Sequence, residues 1–275
     1  GRGSNPAGKE FGKRRLKPPF RGMRNTDYAA NFEDFLSQVK KDQPFCFWYG
    51  AQEPHRPYEY EAGFKRGTKK LEDIDEVYPI WPDNEVVRKD LLDYGYEIEY
   101  FDKHLGQMLD LLEEKGELEN TLVVVTSDNG IPFPTIKGQE YYYSNHLPLA
   151  VMWPKGIQTP GRSIDDFVNF IDFTPTFLEV TDVDGEAHGM QPITGRLTEF
   201  FSTDAEGTIN PDRDHHLMGK ERHDIGRPHD QGYPIRGILK DGYLYLRNFE
   251  PTRWPAGNPE TGYLNCDGSP TKPKF

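Results

Sequence analysis

Hydrophobic positions recur along the chain with two different spacings, which separate helical from extended segments. Between Val87 and Leu112 the apolar positions lie alternately three and four residues apart, the spacing of one face of an α-helix. This stripe consists of Leu91, Tyr94, Ile98, Phe101, Leu105, Met108 and Leu112. A shorter stripe predicts a second helix over residues 31–40, and Gly116 is placed to end the longer helix.

Three short segments have the composition of strands instead: residues 45–49 are apolar at consecutive positions, residues 121–126 are β-branched and uncharged, and residues 147–153 form a third. Continuous apolarity over a strand length is typical of strands that are covered on both faces, as in a parallel sheet. A further short helix opens at Thr174-Pro175 and extends to Val180. The alternation of strands and helices predicts an α/β fold, with a mostly parallel central sheet and flanking helices.

The pattern changes after about residue 200, where Pro, Gly, His and Arg accumulate. Residues 235–249 alternate around Asp241-Gly242, a pair that favours the tight turn of a β-hairpin. We therefore predict an α/β core over residues 1–200 and a small antiparallel β subdomain over residues 201–275.

The overall charge excludes one class of partner. The formal net charge is −12, whereas a nucleic-acid partner requires clustered Lys and Arg. The sequence also lacks an apolar run of the ~20 residues that would span a bilayer, so we expect neither nucleic-acid binding nor membrane insertion. The two cysteines are too few for a disulfide scaffold, and Cys46, inside an apolar run, is expected to be buried.

Polar residues follow two of the predicted strands. His55 and Arg56 come after the first, and Asp128-Asn129-Gly130 after the second. Ligands of open α/β sheets gather beyond the carboxyl ends of the strands, and adjacent Asp and Asn oxygens suit Ca²⁺ or Mg²⁺. Taken alone, Asp-Asn-Gly is more often an ordinary turn, and two ligands do not complete a calcium site of about six to eight oxygens.

The order and context of these residues resemble the sulfatase branch of the alkaline phosphatase superfamily. Residues 94–116 and 120–130 look like the helix, strand and metal loop of that family. The extension Ile131-Pro-Phe-Pro134 is similar to the N-sulfoglucosamine sulfohydrolases, as are Pro54-His55-Arg56 and residues 170–178. The resemblance covers most of residues 26–180, and residues 221–224 and 233–249 resemble the C-terminal region of bacterial members.

This resemblance implies an alkaline phosphatase-like fold and a set of site residues. Asp128 and Asn129 would be calcium ligands, with Mg²⁺ the less favoured ion. His55 would contact the transferred sulfuryl group or protonate the leaving atom, and Lys137 would be the cation that binds sulfate. Further substrate-binding residues would be Arg56, His146, Glu221, Arg222 and His223.

The chain departs from the family in lacking several of its active-site residues. The family's nucleophile is a formylglycine made from Cys or Ser in a C/S-x-P/A-S-R motif, and neither Cys46 nor Cys266 lies in such a motif. The family's paired aspartates, which complete the calcium site, are also missing from the sequence. We expect both to lie N-terminal to Gly1 in a longer parent protein, and we do not expect these residues alone to turn over substrate.

The resemblance implies hydrolysis of a sulfate ester or sulfamate on a sulfated, heparan-type glycan by an exported protein, whether periplasmic, secreted or lysosomal. Two alternatives remain. A phosphodiesterase or phosphonate hydrolase of the same superfamily would often bind two transition metals, which Asp-Asn rather than Asp-His at residues 128–129 disfavours. The second alternative is a non-catalytic glycan-binding protein related to the sulfatases. The sequence gives no indication of the oligomeric state.

Overall fold

The computed structural model describes residues 8–185, 187, 189–222, 228–253 and 267–272, which fall into two compact units. The first unit comprises Gly1–Glu117, Pro132–Pro134 and Cys266–Phe275, and the second comprises Leu118–Ile131 and Thr135–Asn265. Neither unit ends near residue 200, so the division into a core and a C-terminal subdomain stays a prediction.

Helices dominate the described part of the first unit. They are α1 (Tyr28–Leu36), α2 (Ala62–Arg66) and α3 (Glu85–Glu114), with a 3-10 helix at Leu71–Asp73. Helix α1 begins three residues before the predicted start because the carboxylate of Asp27 accepts a 3.0 Å hydrogen bond from the Ala30 N–H. Helix α3 ends as predicted, since Gly116 follows it with a φ of 71°.

The buried face of α3 is more polar than the predicted stripe. Asp90, Asp93 and Glu97 are each 1% exposed, whereas Ile98, a member of that stripe, is 39% exposed. The acids replace apolar side chains because two of them have partners inside the unit. Asp90 pairs with Arg56, and Asp93 accepts the N–H groups of two residues at the start of α2.

Residues 45–49 form no strand, contrary to the prediction. Alternate residues of this extended segment are half-buried, whereas Cys46 is exposed and Trp48 is 84% exposed. The half-buried side packs on the helices, with the Phe47 ring 4.8 Å from that of Phe32 and the Tyr49 ring 4.7 Å from that of Phe101. The described residues cover only this side, so the predictions of burial on both faces and of a buried Cys46 are wrong.

The second unit contains the strands and several short helices. They are β1 (Val123–Thr126), α4 (Tyr142–Asn145), β2 (Leu149–Met152), α5 (Phe173–Val180), α6 (Thr198–Phe201), β3 (His215–Lys220), β4 (Ile235–Lys240) and β5 (Tyr243–Asn248). Single-turn 3-10 helices lie at Leu118–Asn120, Phe170–Asp172 and Pro228–Asp230. Its hydrophobic core centres on Leu197, Phe200 and Phe201.

All of these named strands pair antiparallel, in the orders β1-β2 and β3-β4-β5. The predicted parallel pairing is therefore not formed between β1 and β2. Parallel neighbours require a long crossover, usually a helix of several turns, whereas α4 has only four residues. The predicted hairpin is confirmed, because Asp241 and Gly242 have φ values of 51° and 76° and join β4 to β5.

None of the described helices combines the length and the apolar character that a bilayer crossing would require.

Candidate functional site

His55 lies in the turn that follows the extended aromatic segment of the first unit. Its side chain is exposed, and its N–H donates a 2.7 Å hydrogen bond to the Gln52 carbonyl. The imidazole Nδ1 lies 2.6 Å from the carbonyl oxygen of Arg56. A carbonyl only accepts hydrogen bonds, so in this contact Nδ1 carries the proton.

Arg56, the neighbouring residue, is 5% exposed. Its two Nη atoms each donate a 2.8 Å hydrogen bond to the Asp90 carboxylate, and Nε donates a 2.9 Å bond to the Pro132 carbonyl. The rings of Tyr58 and Phe133 lie 4.4 and 4.5 Å from the guanidinium carbon. Only 4% of the Arg56 side chain is exposed, and contact of Arg56 with substrate stays a prediction.

Buried carboxyl groups extend along α3 from this ion pair. Burial raises the pKa of Asp93 to about 6. Burial raises the pKa of Glu97 to about 8, with a further contribution from the charges of Glu53 and Asp93. Glu97 Oε1 has no hydrogen-bond partner among the described residues. The sequence analysis missed this group, although acids at positions 90, 93 and 97 have the spacing of one helix face.

The predicted metal loop follows β1 in the second unit. Asp128 and Asn129 are both exposed. Ser127 Oγ donates to the Asn129 carbonyl at 3.1 Å, and Asn129 Nδ2 donates to the Gly130 carbonyl at 2.9 Å. These bonds hold the turn and use the amide nitrogen of Asn129, so its Oδ1 stays available as a ligand atom.

Gly130 is required by packing rather than by a left-handed conformation. A Cβ atom there would lie 2.6 Å from the Tyr143 carbonyl oxygen and 3.0 Å from Ser144 Cα. The Gly130 N–H also donates to the Ser144 carbonyl at 3.3 Å. The missing side chain thus lets the metal loop lie directly against α4.

The donor set fits part of a calcium site. Asp128 and Asn129 offer two hard oxygens of the about six to eight that Ca²⁺ takes. Elsewhere in the described ranges, no group of three or more His, Cys, Asp or Glu side chains is arranged to hold a metal ion. A calcium ion on this loop would therefore need ligands beyond those that the described residues bring together.

Lys137 and His146 lie on either side of α4 in the sequence. Lys137 is half-buried and follows Ile136, which is 0% exposed and anchors the segment. His146 is exposed, and its ring centre lies 4.9 Å from that of Tyr142.

Glu221 and Arg222 are exposed and follow β3 directly. Glu221 forms an ion pair with Arg236, and Arg222 forms one with Asp230. His223, the remaining predicted substrate-binding residue, lies outside the described residues.

One contact connects the end of β3 with the segment after Lys137. The Nζ of Lys220 donates a hydrogen bond to the Gly138 carbonyl at 2.5 Å. Nearby, Glu140 is 7% exposed, and burial raises its pKa while the charges of Lys220 and Arg236 lower it. Sequence reasoning missed Lys220 and Glu140, because contacts between segments so distant in sequence carry no local signal. The structure thus brings residues 137–140 together with β3, and it places His55 and Arg56 in the other unit.

Comparison with known proteins gives consistent matches. The family model "Sulfatase" matches residues 2–183. Human N-sulphoglucosamine sulphohydrolase is 28% identical over 161 residues, which cover 52% of this chain and 32% of that protein. N-acetylglucosamine-6-O-sulfatase of Bacteroides thetaiotaomicron is 34% identical over 96 residues, covering 34% of this chain and 17% of that protein.

A solved structure shows the same fold. The yidJ protein of Bacteroides fragilis, provisionally assigned as a sulfatase, superimposes with a TM-score of 0.58 at 20% identity. The match covers 81% of this chain and 48% of that chain. At this identity it establishes the alkaline phosphatase-like α/β fold alone. The matched region amounts to about half of the solved chain and a third or less of the two curated relatives above.

Proposed function

Because the chain belongs to the sulfatase family, we propose that it forms part of an enzyme that hydrolyses a sulfate ester or sulfamate on a sulfated amino-sugar glycan. The family match includes His55, Asp128, Asn129 and Lys137, which lie within residues 2–183. The two curated relatives above are named for N-sulfated and 6-O-sulfated glucosamines. The observation that carries the proposal is the exposed pair of oxygen donors at the end of β1, inside this matched region.

Asp128 and Asn129 are the residues that would hold a calcium ion. Their exposed oxygens and the hydrogen bonds that fix the turn support this assignment. When bound, the ion supplies positive charge that stabilises the negative oxygens of a sulfuryl group. We prefer Ca²⁺ to Mg²⁺ because Ca²⁺ accepts many oxygen ligands in flexible geometry, whereas Mg²⁺ keeps most of its waters.

His55 and Lys137 would act on the substrate itself. The Nδ1 proton of His55 is engaged by a carbonyl, so Nε2 is the atom that would give a proton to the departing amine or alkoxide. Lys137 would add fixed positive charge beside the sulfuryl oxygens as charge develops there. Glu221, Arg222 and His146 are exposed polar side chains that would contact the sugar.

The nucleophile is the missing part of this mechanism. The C/S-x-P/A-S-R motif does not occur in the 275 residues. We propose that turnover requires a formylglycine contributed from outside these residues, and that this chain by itself releases no sulfate.

The test measures sulfate release from N-sulfated and 6-O-sulfated glucosamine saccharides by the whole protein, with and without a chelator. We expect release, and we expect Asp128→Asn to lower kcat at least about 100-fold, as loss of one preorganised charge contact does. Asp110→Asn, an exposed acid on α3, is the matched control and should leave kcat unchanged.

Two results would overturn the proposal. Hydrolysis of a phosphodiester or phosphonate without sulfate release would assign the site to the rival hydrolases of the superfamily. Glycan binding that survives Asp128→Asn, again without sulfate release, would indicate a non-catalytic binding protein.

A further inference from the structure

The strongest unassigned feature of the first unit is the connection between the imidazole of His55 and the buried guanidinium of Arg56. The Nδ1 of His55 and the Arg56 carbonyl oxygen are only 2.6 Å apart. The orientation of the ring therefore depends on where the Arg56 carbonyl points, and so on whatever holds the Arg56 backbone.

The Arg56 side chain fixes the position of this backbone. It makes three hydrogen bonds, two to the carboxylate of Asp90 on α3 and one to the Pro132 carbonyl, with donor–acceptor distances of 2.8, 2.8 and 2.9 Å. The paired side chains are only 4% and 1% exposed. A change in the backbone at Arg56 would break a buried charge pair, which is strongly unfavourable.

Asp90 is itself fixed on both sides. The hydroxyl of Thr271 donates a 2.6 Å hydrogen bond to Asp90 Oδ2, the oxygen that also accepts from Arg56 Nη2. These hydrogen bonds fix the position of the Asp90 carboxylate on α3, and the carboxylate fixes the position of the Arg56 guanidinium that donates to it.

Only arginine meets all the demands of this position. Its planar fork matches the two carboxylate oxygens, its Nε provides the third donor, and its flat faces lie against Tyr58 and Phe133 at 4.4 and 4.5 Å. A lysine would keep the charge but would contact the carboxylate through a single nitrogen.

We propose that Arg56 is a positioning residue: its buried side chain fixes the backbone carbonyl that holds His55 with the proton on Nδ1, and so sets the orientation of the imidazole ring. The catalytic meaning of this arrangement rests on the proposed function of His55. The positioning itself can be tested without any substrate.

The first experiment records two-bond ¹H–¹⁵N correlation spectra of ¹⁵N-histidine-labelled protein across a pH titration, which distinguish the two neutral tautomers of each imidazole. Wild-type His55 is expected in the Nδ1–H form. In Arg56→Lys, and independently in Asp90→Asn, the signal should move towards the Nε2–H form that a free imidazole prefers.

Arg88→Lys is the matched control. Arg88 also forms a two-point ion pair, with Asp83 at 2.6 and 2.9 Å, but that pair is 23% and 56% exposed. The tautomer of His55 should be unaffected by this substitution. Retention of the Nδ1–H form in folded Arg56→Lys or folded Asp90→Asn would overturn the proposal, as would an Nε2–H form in the wild type.

The second experiment separates this proposal from the proposed function. In the whole protein, Arg56→Lys should lower kcat by about 10- to 100-fold, by analogy with the loss of a residue that orients a metal-ligating histidine. KM should change little because Arg56 is buried. If the wild type releases no sulfate, the proposed function fails, while the tautomer measurement still decides the role of Arg56. If kcat of Arg56→Lys equals that of the wild type, the positioning role fails although the sulfatase activity stands.

Discussion

Individual buried side chains determine how the first unit responds to pH. Glu97 is the clearest case, because it is 1% exposed and its Oε1 lacks a partner among the described residues. A buried carboxyl in this situation favours its neutral form, which is why burial raises its pKa to about 8. In the unfolded chain the same group titrates near the ordinary value, so its protonation is coupled to folding.

The free energy of unfolding should therefore rise as the pH falls from 8 towards 4.5. A carboxyl whose pKa is higher in the folded state stabilises the fold fully below its unfolded pKa and loses that contribution as pH rises towards the folded value. A shift from 4.5 to about 8 corresponds to up to about 5 kcal/mol. Urea denaturation at several pH values measures this dependence.

Glu97→Gln is the matched variant, because glutamine keeps the shape of the side chain but has no carboxyl group to titrate. It should stabilise the protein at pH 8 and flatten the dependence between pH 4.5 and 8. The smaller contribution of Asp93, whose pKa is about 6, should remain. An unchanged slope in the variant would show that Glu97 is not the group responsible.

The secondary-structure elements differ in how far the sequence determined them. Helix α3 and the β4–β5 hairpin formed as predicted because their signals are local: a three-and-four spacing with Gly116 at its end, and an Asp241-Gly242 turn. The predicted strand at residues 45–49 did not form. A strand forms only by pairing with another strand, and the sequence of a segment does not identify the strand it will pair with.

The contact between the metal loop and α4 is an element-scale feature with a direct test. Because a Cβ at Gly130 would lie 2.6 Å from a backbone oxygen, Gly130→Ala must displace the loop or the helix. We expect a destabilisation of about 1–3 kcal/mol, the usual cost of overpacking. Thermal denaturation followed by circular dichroism measures it.

Gly95→Ala is the control for the effect of adding a methyl group. Gly95 lies inside α3, and a Cβ added there would have no neighbouring atom within 4 Å. That substitution should stabilise the protein by about 0.5–1 kcal/mol, since Gly is a poor helix former. If Gly130→Ala proved equally stabilising, the close approach of the loop to α4 would be wrong.

At the scale of the whole molecule, some of the predicted site residues belong to one unit and some to the other. The first contains His55 and Arg56, and the second contains Asp128, Asn129 and Lys137. The sequence indicated each of these residues through local motifs and family resemblance. It could not indicate the Arg56–Asp90 pair, whose members are 34 residues apart, or the Lys220–Gly138 contact, whose members are 82 residues apart. Long-range polar contacts depend on the folded arrangement and leave no local pattern in the sequence.

Calcium binding tests directly whether the 275 residues hold a complete metal site. Asp128 and Asn129 provide two oxygens, whereas Ca²⁺ takes about six to eight. No group of three acidic, His or Cys side chains in the described ranges is arranged to supplement them. A ligand that binds only the folded state raises its stability according to the ratio of ligand concentration to Kd. The 275-residue chain alone should therefore show almost no rise in Tm with 1 mM CaCl₂. The whole protein should show a clear rise in Tm. Asp128→Ala should abolish that rise, and MgCl₂ should not reproduce it. A large rise in Tm of the isolated chain at micromolar Ca²⁺ would instead mean that the remaining ligands lie within its own sequence.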